Sequence, residues 1–200
     1  MKPEVAPAIG HELQSVVSAE VERQVSALRE EMEEKLASLH ERTVDDRATL
    51  VVFSDELDKA LAAFVIATGA AAAGLKTSIF FTFWGLSILR KKGASGGSKA
   101  PLERMLALMA PGSTSSLGTS KMNFFGVGAV ILRRLMKDKG IASLEELMAM
   151  ARDLDVKFIA CTMSMDAMAV GKDELIDGLE YGGVATYLAD AARSRVTLFI

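Results

Sequence analysis

Residues 48–83 read ATLVVFSDELDKALAAFVIATGAAAAGLKTSIFFTF, and this stretch decides the fold class. Residues 48–53 are mostly apolar and rich in β-branched side chains, which predicts a buried strand. Ser54 and Asp55 are capping candidates for a helix over residues 56–73. A second buried strand is predicted over residues 76–83. Strand, helix and strand within about 35 residues form a βαβ unit, which implies a parallel sheet with helices on both faces.

The rest of the chain continues this alternation of strands and helices. Loops rich in glycine, serine and threonine are expected at residues 91–100 and 111–120. The other predicted elements are helices over 101–110, 124–139 and 143–154, a strand over 156–161, a helix over 172–193 bent near Gly182 and Gly183, and a last strand over 196–200. The predicted fold class is therefore α/β.

An acidic segment with the spacing of a coiled coil precedes this region. Val21, Val25, Leu28, Met32 and Leu39 are separated by 4, 3, 4 and 7 residues, with charged residues between them. Residues 11–47 carry 10 acidic and 5 basic side chains. We expect a flexible N-terminus over 1–10, an oligomerisation stalk and hinge over 11–47, and an α/β domain over 48–200. The alternative for the stalk is a helix that packs on its own domain or frays.

The composition excludes several kinds of catalysis. The chain has one cysteine, which cannot form an intrachain disulfide or a zinc–thiolate site. Both histidines, His11 and His40, precede the predicted domain, so Ser-His-Asp and Cys-His catalysis within it are excluded. Gly126 and Gly128 lack the third glycine of a dinucleotide-binding motif. We therefore expect no cofactor and no metal, and a net charge of −3 does not suggest nucleic-acid binding.

No signal-peptide pattern opens the chain. The apolar runs at residues 60–75 and 77–89 are separated by Lys76, and each is shorter than the ~20 residues that a membrane span needs. We expect a soluble cytoplasmic protein with reduced thiols; membrane contact through residues 79–89 is the less favoured alternative.

The carboxyl ends of the predicted strands collect the candidate site residues, because ligands of open parallel sheets bind at that edge. They are Ser54 and Asp55 after the first strand, Phe83 and Trp84 after the second, and Cys161, Thr162, Met163 and Ser164 at the end of the third. Backbone amides that open a helix after Cys161 would stabilise its thiolate. The alternative is an inert, buried core cysteine.

Five segments of the chain resemble the DsrE/DsrF-like sulfur-carrier family, and more narrowly its larger DsrE-type branch, whose members are often called peroxiredoxin-family proteins. The segments read LVVFSDELDKALAAFVIATGAAA, FFTFWGL, KMNFFGVG, IACTMSMDAMAV and DELIDGLEYGGVATYL, and the resemblance extends over residues 49–200. A peroxidase site would carry Thr three residues before the nucleophile, where this chain has Phe158, so the residues do not support that activity.

The resemblance implies a small Rossmann-like domain that assembles as trimers or hexamers. It implies that Cys161 carries sulfur, as a persulfide or thiosulfonate, and exchanges it with TusA-type or rhodanese-type proteins. Met122, Asn123, Gly182 and Gly183 match family pattern residues without an assigned role.

Two main hypotheses for the function follow. The chain is a sulfur-carrier or sulfurtransferase-relay protein acting through Cys161, or it is a non-catalytic oligomeric scaffold or binding module with a structural cysteine. A third hypothesis, an oxidoreductase with a nucleotide cofactor, requires a phosphate-binding loop that the sequence does not contain.

Overall fold

Residues 6–42, 45–93, 112–121 and 126–200 are described by the structure, a computed structural model. The chain divides into two compact units, Met1–Thr43 and Val44–Ile200. The first unit contains helix α1 (Ala6–Arg42), which begins five residues before the predicted stalk. The side chains described in α1, those of residues 16–38, are all exposed.

The second unit is built on a parallel sheet of five strands in the order β4-β3-β2-β1-β5. The strands are β1 (Asp45–Val52), β2 (Lys76–Phe81), β3 (Lys157–Cys161), β4 (Glu180–Gly182) and β5 (Ser194–Phe199). β3 lies between β2 and β4, with Ile79 level with Phe158 on one side and Cys161 level with Gly182 on the other. The fold class is α/β, as predicted.

Helices connect the strands and cover the sheet. The α-helices are α2 (Leu57–Ala72), α3 (Val127–Asp138), α4 (Leu144–Asp153), α5 (Thr162–Ala167) and α6 (Val184–Ala191), and 3₁₀ helices occupy Phe83–Leu89, Thr114–Ser116 and Lys172–Glu174. Ser143 begins α4 with a reciprocal capping box, in which its hydroxyl and amide bond the amide and carboxylate of Glu146. α2 ends before Gly74, whose φ of 88° is the left-handed conformation that glycine adopts readily.

The two faces of the sheet are covered unequally. On one face, Leu50, Ile79 and Phe158 pack with α2 and α4 into the larger core. On the other, Val51, Phe80, Ile159 and Cys161 form a small buried cluster, against which Tyr187 of α6 packs. Successive residues of a strand point to opposite faces, so Ala160 belongs to the larger core while its neighbour Cys161 faces α6.

Three predictions at the level of elements are wrong. The segment predicted as one bent helix over 172–193 contains a 3₁₀ turn, strand β4 and the short helix α6, because residues 180–182 pair with the exposed edge of β3. The second strand ends at Phe81, and Phe83 begins a 3₁₀ helix instead. β1 begins at Asp45, so residues 45–47 belong to the sheet and not to the predicted hinge. The predicted helix over 101–110 lies outside the described residues.

A search of the described helices for a membrane span finds none that is both long and apolar enough to cross a bilayer.

Candidate functional site

Cys161 ends strand β3, and helix α5 begins at the next residue. Cys161 is therefore the N-cap residue of α5, although its side chain makes no capping hydrogen bond. Its position is at the carboxyl edge of the sheet, where parallel α/β folds bind their ligands.

The thiol of Cys161 is buried, with 3% of the residue exposed. Its surroundings are apolar: Val51, Phe80 and Ile159 belong to the same cluster, and the ring of Tyr187 lies 5.5 Å from that of Phe80. A reagent reaches this sulfur only if part of its cover moves. The burial is the environment that the inert-cysteine alternative predicts.

Helix α5 is attached to the strands on both sides of β3. The hydroxyl of Ser164, which is fully buried, lies 2.8 Å from that of Thr82 at the end of β2. The hydroxyl of Thr162, which is exposed, donates to the carbonyl oxygen of Gly182 at 3.5 Å. Met163 points away from the core and is exposed. Of the predicted residues around Cys161, Ser164 is thus buried beside β2, whereas Thr162 and Met163 lie on the surface.

Gly182 has a steric role that its local sequence does not indicate. Its Cα is paired with Cys161 across β3 and β4. A Cβ atom at Gly182 would lie 2.7 Å from Oγ1 of Thr186 and 2.9 Å from its Cβ. Glycine therefore allows the first turn of α6 to approach the strand that flanks the thiol. Gly183 is the N-cap residue of α6, and a Cβ there would meet nothing within 4 Å.

Phe83 and Trp84 begin the 3₁₀ helix that follows β2, and both side chains are exposed. Phe83 has a φ of 48°, which is unusual for a bulky residue, and its ring lies 5.5 Å from that of Phe53. Phe53 in turn stacks on Phe199 at 5.9 Å. A Cβ at Gly85 would overlap the carbonyl oxygen of Val52, so only glycine lets this turn pack on the end of β1. The ring contacts of Phe83 are thus directed to β1 rather than to β3.

Ser54 and Asp55 belong to a polar cluster at the end of β1, and strand β2 lies between this cluster and β3. Neither residue caps α2, because Glu56 is the N-cap residue. The hydroxyl of Ser54 donates to the carboxylate of Glu56, which also binds the ammonium of Lys59. These bonds, that of Lys59 first, lower the pKa of Glu56. Burial raises the pKa of Asp55 above its usual value.

Three further observations limit the site. Met122 and Asn123 lie outside the described residues. A cavity of about 820 Å³ is lined by residues of α2, α3 and α4, including Leu57 and Leu144 of the larger core, and so lies on the face of the sheet opposite to Cys161. Within the described ranges, no group of three or more His, Cys, Asp or Glu side chains could hold a metal ion.

Comparisons with known proteins give one family model and several similar proteins. The model of the DsrE/DsrF/DrsH-like family matches residues 44–199. The chain is 45% identical over 154 residues to the uncharacterized protein YrkE of Bacillus subtilis. This alignment covers 77% of this chain and 96% of YrkE. The chain is 33% identical over 163 residues to the sulfur carrier protein DsrE2 of Allochromatium vinosum. This alignment covers 77% of this chain and 98% of DsrE2. The crystal structure of the E. coli YchN protein aligns with a TM-score of 0.41 at 10% identity, over 77% of this chain and 99% of YchN.

Proposed function

The chain belongs to the DsrE/DsrF/DrsH-like family, and on that premise we propose that it is a sulfur carrier that holds sulfane sulfur on Cys161. One observation carries the proposal. A chain that aligns with nearly the whole length of a sulfur carrier has a single thiol, and that thiol lies at the carboxyl edge of the sheet, at the junction of β3 and α5.

The chemistry requires only the sulfur atom of Cys161. In loading, the Cys161 thiolate attacks the outer sulfur of a donor persulfide. The S–S bond of the donor breaks, its electron pair leaves with the donor sulfur as a thiolate, and Cys161 becomes the persulfide. In delivery, the thiolate of an acceptor cysteine attacks the outer sulfur in the same way and releases the Cys161 thiolate. No net oxidation occurs and no second cysteine of this chain takes part, since both steps are thiol–disulfide-type exchanges.

The apolar cover of Cys161 suits the storage of a reactive group. Phe80, Ile159 and Tyr187 exclude water and competing small thiols from the sulfur. Access then depends on α6, which has only eight residues, none of them fully buried. Elements with few buried apolar contacts open locally at low free-energy cost. In this proposal a displacement of α6 exposes Cys161 to donor and acceptor.

The same face supplies a surface for protein partners. Val184 and Leu188 of α6 and Phe199 of β5 are exposed apolar side chains in the unit that contains Cys161. We expect this surface to serve a homo-oligomer, a trimer or a multiple of one, and sulfur-exchange partners of the TusA or rhodanese type. A cytoplasmic location belongs to the same proposal, because exchange requires reduced thiols.

The test measures sulfur uptake by intact mass. Full-length protein is incubated with a low-molecular-weight persulfide, and separately with a polythionate. With the persulfide, the expected result is a gain of one sulfur atom as the donor thiolate leaves. With the polythionate, it is a sulfur–sulfonate adduct formed as the Cys161 thiolate displaces a thiosulfate-type leaving group. Both adducts should localise to Cys161, be removed by dithiothreitol and be absent from Cys161→Ser. Thr162→Ala, a change of the neighbouring exposed residue, is the matched control and should load like the wild type. A folded wild-type protein whose single thiol is free but takes up no sulfur from either donor would refute the proposal.

The second candidate is a non-catalytic oligomeric scaffold or binding module with a structural cysteine. The burial of Cys161 favours it. It predicts slow alkylation of the native thiol and no sulfur adduct, so the same samples discriminate between the two functions.

A further inference from the structure

Helix α1 carries an apolar stripe that is exposed along its described length. The stripe consists of Val17, Val21, Val25, Leu28, Met32 and Leu36, whose exposed fractions range from 45% for Val25 to 60% for Leu28 and Leu36. From Val17 to Leu36 the stripe is about 28 Å long at 1.5 Å per residue. A continuous apolar row on an otherwise charged helix is typical of a surface that another helix covers.

The spacing of the stripe is an eleven-residue repeat. Its members are separated by 4, 4, 3, 4 and 4 residues, so Val17 is repeated by Leu28, Val21 by Met32 and Val25 by Leu36. Under the seven-residue repeat of the sequence analysis, Leu36 lies beside the seam and Lys35 falls on it. The eleven-residue repeat keeps every seam position apolar. Eleven residues in three turns give 3.67 residues per turn, which favours a nearly straight, slightly right-handed pairing of helices.

The two halves of the stripe differ in side-chain size. Its first half holds only valines, and its second half holds leucine and methionine. If a second α1 lies antiparallel, Val17 is level with Leu36 of the second copy, and Val21 and Val25 are level with its Met32 and Leu28. Every layer then combines one small and one large side chain, which fills the interface evenly. A parallel partner would instead place valine against valine at one end and leucine against leucine at the other.

The charges beside the stripe neither favour nor oppose the antiparallel arrangement. On one edge, Glu20 lies two residues in level from both Lys35 and Glu31 of the second copy once the helices are reversed. On the other edge, Glu22 is related in the same way to Arg29 and Glu33. Each edge therefore has one attractive and one repulsive pair, and the sizes of the stripe side chains decide the orientation. Within one chain these groups make only exposed pairs, such as Lys35 with Glu31, which contribute little and can exchange. The opposed helix dipoles also favour antiparallel packing.

From these observations we propose that α1 is an interaction surface for α1 of a second copy of this chain, paired antiparallel through the eleven-residue repeat. The proposal is independent of sulfur chemistry. It concerns only the first unit, and it gives the chain a contact between copies in addition to any that the sheet provides.

Cysteine cross-linking in the full chain tests the orientation. Val21→Cys and Met32→Cys are expressed separately, and also together as differently tagged chains, and each preparation is oxidised with copper–phenanthroline in air. Antiparallel pairing brings Val21 of one copy level with Met32 of the other, so only the mixed preparation should give a disulfide between these two positions. Like positions would then be about 16 Å apart, and a disulfide requires Cα atoms within about 7 Å. Peptide mass analysis distinguishes this cross-link from any that involves Cys161.

A charge introduced into the stripe provides the second measurement. Leu28→Asp should shift the mass from light scattering towards smaller species, whereas Ala27→Asp, one residue away on the far side of the helix, should not. A like-to-like cross-link in Val21→Cys alone would overturn the proposal in favour of a parallel pair. No cross-link in any preparation, or an equal effect of the two aspartates, would also overturn it.

Discussion

The hydroxyl oxygens of Thr82 and Ser164 lie 2.8 Å apart and join the end of β2 to helix α5. Ser164 is fully buried, so its hydroxyl has left water and depends on this partner. Because Cys161 immediately precedes α5, the bond also fixes the backbone that carries the candidate sulfur site.

Ser164→Ala should therefore destabilise the protein by about 1 kcal/mol, the usual contribution of one buried hydrogen bond between neutral groups. Urea unfolding measures the change. Thr162→Ala is the matched control, since the hydroxyl of Thr162 is exposed and its bond to Gly182 is long. If the two hydroxyls act as a unit, the double variant Thr82→Val/Ser164→Ala will lose little more unfolding free energy than Ser164→Ala alone. Fully additive losses would show that the two hydroxyls do not depend on each other.

Tyr187→Ala should make Cys161 more reactive. Tyr187 packs against the cluster that contains the thiol, so its truncation removes part of the cover. We expect the rate of alkylation by iodoacetamide to rise about tenfold, which corresponds to ~1.4 kcal/mol less free energy for local opening. Val65→Ala, a truncation of an exposed residue of α2 on the opposite face of the sheet, should leave the rate unchanged. Equal rates for the two variants would mean that access to Cys161 does not pass by Tyr187.

The elements that the sequence predicts well are those with a strong local pattern. The apolar runs of β1, β2 and β3 and the capping box at Ser143 predict their own structure, whatever lies beside them. β4 has only three residues, and Glu180 and Gly182 are poor strand formers. It forms because the edge of β3 is open to pairing, which depends on a distant part of the chain.

In the candidate site, the sequence predicts where residues lie along their strands but not what covers or adjoins them. Local sequence places Cys161 at a strand end, but its burial depends on which face α6 covers, and α6 was not separated from the segment before it. For that reason the sequence does not indicate Tyr187, and it does not indicate Thr82 because the predicted second strand continues through it to Phe83. Ser54 and Asp55 were correctly assigned to a strand end, yet β2 lies between them and β3, and strand order is not a local property.

Arg90 and Glu174 form a buried ion pair, with their nearest atoms 2.7 Å apart and 6% and 2% of their side chains exposed. Glu174→Gln should destabilise the protein by about 3 kcal/mol, because it leaves the Arg90 charge buried without a counter-charge. Asp177→Asn is the matched control, since Asp177 pairs with Lys91 at the surface. Asp177→Asn should lower the free energy of unfolding by less than about 0.5 kcal/mol. Urea unfolding of both variants decides the prediction, and it fails if the two losses are equal.

Asp58 should contribute stability that depends on pH. Burial acts to raise its pKa, but the hydroxyl and amide of Ser120 donate to its carboxylate and together hold the pKa below the ordinary value of 3.8. A carboxyl with a lowered pKa in the folded state stabilises the protein above its unfolded pKa and loses that effect as the pH falls through the folded value. Asp58→Asn should thus cost ~1 kcal/mol or less at pH 7, given its partial exposure, and the difference from wild type should shrink below about pH 4.

Asp55→Asn provides a control in which the change in stability should have the opposite sign. Asp55 precedes the first turn of α2, which contains Asp58. Burial raises the pKa of Asp55, so the fold disfavours its charged form. Removing that charge should stabilise the protein at neutral pH, and the gain should vanish as the pH falls through the raised pKa, where the wild-type carboxyl becomes neutral. Thermal unfolding of wild type and both variants from pH 7 to pH 3 gives the three curves. Shifts of the same sign for both variants, or differences from wild type that do not change with pH, would contradict the assignment of these two carboxyl groups.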